Sequence, residues 1–260
     1  MMDEFLFSAI SLLLLGLKTN GLALPRVDRI VDGEYISITK VSYMLSLSVN
    51  SEYTCGAAII NEDWAVTAAH CIILFVNDSV SINIRSGSNK YDTGGVVHNV
   101  TTLLYHEKYN ELNNDYDIGL LKVSPPFKFN NATQPVKLPG NESIYTSWAS
   151  IAGWGYFIDI KPILSKDLKY VTVPKVTKKQ CRNDYEGRYE VTEHQVCYGF
   201  SQGGKDACKG DSGSPLVNRD NIIIGITSWG DDCGQPYSPG VYTDVIDLVD
   251  WIKSKTMSTL

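Results

Sequence analysis

This 260-residue sequence predicts an all-β fold, a barrel or a sandwich, closed by one C-terminal helix. Three observations carry that reading. Short runs rich in Val, Ile, Thr and Tyr recur along the chain, with Gly, Asn, Asp and Pro between them; such residues fit a pleated, half-buried surface, and their separators break it. A turn-rich stretch near mid-chain, "QPVKLPGNES" (134–143), reads as a linker between two β units. In "DVIDLVDWIKSK" (244–255), Val245, Leu248, Val249 and Ile252 share one face at helical spacing, and Asp244 can cap the helix.

Taken in order, the chain begins with a segment unlike the rest. "FLFSAISLLLLGL" (5–17) is an apolar run of 13 residues, followed by polar "KTNG" and small "LALP". That is the length of a signal-peptide core and too short to span a bilayer unaided. Residues 1–23 read as a signal peptide cut after Gly21 or Ala23, although "MMDE" carries acids and no Lys or Arg. The expected address is therefore secreted and extracellular. The strand runs follow: "YMLSLSV" (43–49), "AAIIN" (57–61), "WAVTAA" (64–69), "VSINIRS" (80–86) and "IGLLKV" (118–123). Beyond the linker come "LKYVTVP" (168–174), "NIIIGITSW" (221–229) and the closing helix.

Composition narrows the function. A net charge of −6 offers nothing to nucleic acid or to an anionic membrane. The six cysteines, Cys55, Cys71, Cys181, Cys197, Cys208 and Cys233, form an even set. In an oxidising compartment that suggests three disulfides, with fifteen pairings open to the sequence. Nearest-neighbour pairing would close steps of 16, 16 and 25 residues. A loop of that size is worth roughly 3 kcal/mol in the chain-entropy model. No pair has CxxC spacing, so zinc is not expected. Sequons at Asn77, Asn99, Asn131 and Asn141 are candidate glycan sites.

The chemistry lies in three stretches: "TAAHC" (67–71) with His70, "DYDIGLL" (115–121) with Asp117, and "GDSGSP" (210–215) with Ser212. Alone, each has a bland reading as a structural His, a turn Asp or a Gly-rich loop. Together they supply the three groups a serine hydrolase draws from separate segments. The chain resembles the secreted serine proteases of the chymotrypsin–trypsin family. The order His, Asp, Ser matches, and "RIVDG" (29–33), "SWG" (228–230) and "PGVYT" (239–243) resemble the family's activation site, substrate-binding strand and pocket wall. "HEKYN" and the six-cysteine set also resemble arthropod digestive trypsins, including those known as mite allergens.

The resemblance implies two packed antiparallel six-stranded β-barrels, in halves 30–135 and 136–260, after an activation propeptide 24–29. It implies disulfides Cys55–Cys71, Cys181–Cys197 and Cys208–Cys233. Ser212 would attack the peptide carbonyl, His70 would take its proton, and Asp117 rather than Asp115 would hold the imidazole. The N–H groups of Gly210 and Ser212 would form the oxyanion hole. Asp206 would floor a pocket for Arg or Lys side chains, with Ser228, Trp229, Gly230 and Gly240 around it. Cleavage after Arg29 would free Ile30 to pair with Asp211. The implied partners are protein or peptide substrates and proteinaceous protease inhibitors. A monomer without cofactor or metal is expected. Asp32 and Ser214 stand where the family usually has Gly, and Ala207 replaces a frequent Ser; a left-handed backbone at Ser214 would be strained. Two rival readings fit less well. A catalytically silent homologue that binds a partner usually lacks a triad residue, and none is lacking here. A chymotrypsin- or elastase-like pocket conflicts with Asp206 beside Gly230 and Gly240.

Overall fold

The computed structural model describes residues 33–76, 80–140, 145–157 and 163–257. The expected leader, Arg29, Ile30, Asp32, Asn77 and Asn141 lie outside the described residues.

Two closed antiparallel barrels of six strands form the body. The first is built from β2 (Met44–Val49), β3 (Glu52–Ile59), β4 (Trp64–Thr67), β5 (Ile82–Ser86), β6 (Val96–Tyr105) and β7 (Gly119–Ser124). Its order is β2-β3-β4-β7-β6-β5, closed by β2 against β5. β5 shows the period-two pattern that closure needs, with Ile82, Ile84 and Ser86 buried and the residues between them half-buried.

The second barrel uses β8 (Trp148–Gly153), β11 (Lys169–Val176), β12 (Gln195–Tyr198), β13 (Pro215–Val217), β14 (Ile223–Trp229) and β15 (Gly240–Asp244). β11 closes it by pairing with β12 at one end and β8 along the rest of its length. β1 (Glu34–Tyr35) adds to β11, so the start of the described chain belongs to the second barrel's sheet. A small hairpin of β9 (Tyr156–Phe157) and β10 (Ile163–Leu164) stands apart.

One expectation needs correction: the closing helix is not the only helix. α1 (Lys178–Tyr185) starts at Thr177, whose hydroxyl accepts from Gln180 N. Its residues "KKQCRNDY" offer only Cys181 and Tyr185 to the core, too narrow a stripe to announce a helix. α2 (Val245–Thr256) is capped by Asp244, whose carboxylate accepts from Ile246 N and Asp247 N.

α2 buries Val245, Leu248 and Ile252 in the same apolar cluster as Leu45, Leu47, Ile59 and Leu120 of the first barrel. Trp251 Nε1 and Lys255 Nζ also reach Glu107, at 2.9 and 2.5 Å. The helix that ends the second half thus straps the first. Ile151, Val173, Ile224 and Tyr242 centre a separate core inside the second barrel. Burial of each such side chain is worth about 1.5–3 kcal/mol.

Disulfides join Cys55 to Cys71 in the first barrel, and Cys181 to Cys197 and Cys208 to Cys233 in the second.

Candidate active site

His70 sits in a 3-10 turn (Ala69–Cys71) directly after β4. The disulfide from Cys71 to Cys55 ties that turn to β3. Asp117 precedes β7 and is fully buried. It accepts from the backbone N of His70 at 2.9 Å and meets His70 Nδ1 at 2.7 Å. The second barrel supplies the rest. Ser228 Oγ donates to Asp117 Oδ2 at 2.5 Å, and Thr243 Oγ1 donates to the Asp117 carbonyl at 2.7 Å. A His–Asp–Ser hydrogen-bonded chain therefore spans the junction of the barrels. Burial pulls the His70 pKa down, but the charge and hydrogen bond of Asp117 outweigh it, and the net shift is upward.

Asp115, the rival carboxylate, faces away from this chain. It accepts from Thr192 Oγ1 at 2.6 Å and meets His194 Nδ1 at 3.0 Å.

Ser212 lies in the loop before β13. Its carbonyl accepts from Gly56 N at 2.8 Å, and the next N–H, of Gly213, reaches the Thr227 carbonyl at 2.8 Å. Gly210 and Gly213 take φ of +94° and +78°. At Gly213 a Cβ would come within 2.2 Å of Thr67 Oγ1 and 2.4 Å of the Gly56 carbonyl, so only glycine fits. Among the described residues, nothing accepts a hydrogen bond from the N–H of Gly210 or of Ser212. Ser214 avoids the left-handed region. Its hydroxyl is buried without a partner among the described residues, and a Cβ at Gly56 would come within 2.1 Å of it.

A cavity of about 160 Å³ opens beside Ser212 and is lined by Asp206, Ser228, Trp229, Gly230, Gly240 and Tyr242, among others. Asp206 is 4% exposed and accepts from Ala207 N at 2.8 Å. Burial pushes its pKa up to about 8, against the pull of the Ala207 and Gly234 N–H groups. A Cβ at Gly240 would stand 3.0 Å from Asp206 Oδ1 and 2.8 Å from the Tyr242 hydroxyl, so the glycine keeps the floor open. Among the described residues, the Tyr242 hydroxyl and Trp229 Nε1 are buried without partners; no pattern in the sequence marked either atom. The Cys208–Cys233 disulfide ties the cavity wall together.

Asp211 points the other way, into the protein, at 1% exposure. It accepts from Gly155 N at 2.8 Å and Cys208 N at 2.9 Å. Burial raises its pKa to about 6, while those N–H groups and the charge of Lys169 pull it down. Cys55, His70 and Cys71 cluster closely enough to suggest a metal site, but their sulfurs are bonded to each other and leave one imidazole as ligand.

Two β-barrels with a His–Asp–Ser chain at their junction define a serine endopeptidase. The family model described as Trypsin matches residues 30–252, and the chain belongs to the trypsin family. It is 37% identical to Trypsin 5G1 of Aedes aegypti, over 89% of this chain and 86% of that one. It is 35% identical to the Vitellin-degrading protease of Bombyx mori, over 92% of this chain and 90% of that one. Coagulation factor XI of Bos taurus is 35% identical over 88% of this chain, which spans only 38% of that protein.

Proposed function

We propose that this is a secreted endopeptidase that cleaves after Arg and Lys and uses Ser212 as its nucleophile. One observation carries the reading. The cavity with buried Asp206 has Ser212 on its wall, and among the described residues nothing accepts from the N–H groups of Gly210 and Ser212. Ser228 is another serine on the wall of that cavity. Its hydroxyl already donates to the carboxylate that also meets His70 Nδ1, so it steadies Asp117 and offers no proton to Nε2. Ser212 then attacks the peptide carbonyl and His70 takes the proton and passes it to the leaving amine. The imidazolium formed is stabilised by Asp117, and the oxyanion by the N–H groups of Gly210 and Ser212. Asp206 selects a guanidinium or ammonium by charge in a site that excludes water.

Synthesis as a zymogen completes the reading. Residues 1–23 direct secretion, 24–29 are a propeptide, and cutting after Arg29 frees Ile30. Its ammonium pairs with Asp211, a buried carboxylate served so far by two backbone N–H groups. Residues 30–135 and 136–260 form the two halves of the active enzyme. Asn99 and Asn131 are exposed and accessible to glycan transfer, and Asn77 and Asn141 are proposed on their sequons alone. The names of the mosquito and silkworm relatives support protein substrates, and proteinaceous inhibitors would be the natural partners of a monomer with this site. The likeness to mite allergens rests on "HEKYN" and the cysteine set.

The test is covalent labelling with a fluorophosphonate followed by peptide mapping, with a cleavage profile on a peptide library. The label is expected on Ser212 and lost in Ser212→Ala, and cuts are expected after Arg and Lys. A label on Ser228, or cuts after apolar residues, would overturn the assignment.

A further inference from the structure

We infer that Tyr53 is a positioning residue for the oxyanion hole: it reaches across from the first barrel and locks the peptide plane that follows Gly210. The inference rests on the proposed reading that the Gly210 N–H holds the oxyanion.

Gly210, at φ +94°, is a residue that could swing freely. Two hydrogen bonds stop it, one on each flanking peptide. On the N-terminal side, Tyr156 N donates to the Lys209 carbonyl at 2.7 Å. In a trans peptide the N–H points opposite to the carbonyl. Holding the Lys209 carbonyl against Tyr156 therefore turns the Gly210 N–H away from the hairpin that carries Tyr156. On the C-terminal side, Tyr53 Oη donates to the Gly210 carbonyl at 2.7 Å. The N–H of that same peptide, from Asp211, reaches the Cys208 carbonyl at 2.9 Å. Both torsions of Gly210 are then fixed between two pinned planes.

The two pins differ in origin. Tyr156 is close in space through the second half's own hairpin. Tyr53 lies on β3, 157 residues before Gly210 in sequence. Its ring is held by Tyr91 at 5.1 Å and by the edge of Trp154 at 6.3 Å, and Trp154 Nε1 is itself bonded to the Asn89 carbonyl at 2.8 Å. The donor thus stands on a packed aromatic group. Burial first, then the charges of Asp211 and Tyr91, raises its pKa well above the usual phenol value, so the hydroxyl keeps the proton it donates. β3 also gives the Gly56 N–H that holds the Ser212 carbonyl. One strand of the first barrel therefore grips the loop on both sides of Asp211.

The test is Tyr53→Phe in the active enzyme, which keeps the ring and removes one oxygen. Two inhibitors separate the roles. Benzamidine fills a cation-binding pocket and forms no oxyanion, whereas an arginine aldehyde forms a tetrahedral adduct whose oxygen sits in the hole. A lost oxyanion donor costs about 10²–10³ in rate, and a loosened one should cost less. The expected result is an about tenfold fall in kcat and in aldehyde affinity, with KM and benzamidine affinity within about twofold of wild type. A merely structural tyrosine would lower the unfolding temperature and leave the ratio of the two affinities unchanged; that result would overturn the inference. A wild-type enzyme that bound neither inhibitor would instead remove the reading on which the inference rests.

Discussion

Asp206 should release a proton when a cationic side chain enters the pocket. The carboxyl is 4% exposed and burial pushes its pKa up to about 8, from an ordinary value of 3.8. The difference corresponds to about 6 kcal/mol of penalty on the charged form, at about 1.4 kcal/mol per unit. At pH 7 most of the empty pockets then carry the proton, and at pH 6 still more do. A guanidinium binds the ionised form and pulls the pKa down. Its affinity should rise about tenfold per pH unit from 6 to 8 and then level off. Calorimetry with benzamidine, in two buffers of different ionisation enthalpy, should show the release of most of one proton at pH 7. Repeating it in His70→Ala removes the imidazole, one of two further groups with raised pKa values in this part of the molecule, the other being Asp211 at about 6. An affinity flat from pH 6 to 8, with no dependence on buffer, would refute the reasoning. The same shift has a sign in folding. Between the unfolded and folded pKa values the folded chain holds the extra proton, so stability falls as pH rises from about 4 to 8. Asp206→Asn should remove that slope, visible as a flatter unfolding temperature against pH.

Other perturbations follow from the same geometry. kcat/KM should rise with pH through a pKa above 6.5, because Asp117 raises that of His70; Asp117→Asn should lower kcat about 10⁴-fold and is read by initial rates. Arg29→Gln should leave a soluble, inactive chain whose N-terminus is not Ile30, checked by N-terminal sequencing and a peptide assay. Ser214→Ala should raise stability by about 1–3 kcal/mol with activity kept, since it removes a buried hydroxyl without a partner; thermal unfolding tests it. Arg substrates should exceed Lys substrates by about tenfold in kcat/KM, since Ala207 on the pocket wall offers no hydroxyl to an ammonium; Ala207→Ser should narrow the ratio.

The fold class was legible because short runs rich in Val, Ile, Thr and Tyr stand between turn residues and α2 shows both a stripe and a cap. α1 was not, because a helix of eight residues with two buried side chains is stabilised by its surroundings rather than by its pattern. The run read over 57–61 belongs to a longer strand that begins at Glu52, where exposed polar residues hide the start. In the site, short-range motifs pointed to His70, Asp117 and the loop around Ser212. Contacts made between distant segments carried no signal. Ser228 sat in a motif read as substrate-binding, yet its hydroxyl is turned to Asp117. Thr243, Tyr53 and the unpartnered Tyr242 hydroxyl matter because of what lies opposite them across a barrel junction or a cavity, which spacing along the chain does not encode.

All six cysteines are spent inside one barrel or the other, so no covalent tie crosses between the halves except the backbone itself. Yet Asp117 is held by groups from both halves. A small shift between the barrels breaks that alignment before the apolar cluster they share with α2 comes apart. The enzyme therefore has a built-in fuse: under rising heat or denaturant it should fall silent before it unravels. A fragment cut loose between the halves would keep its own staples and inherit none of the destructive chemistry.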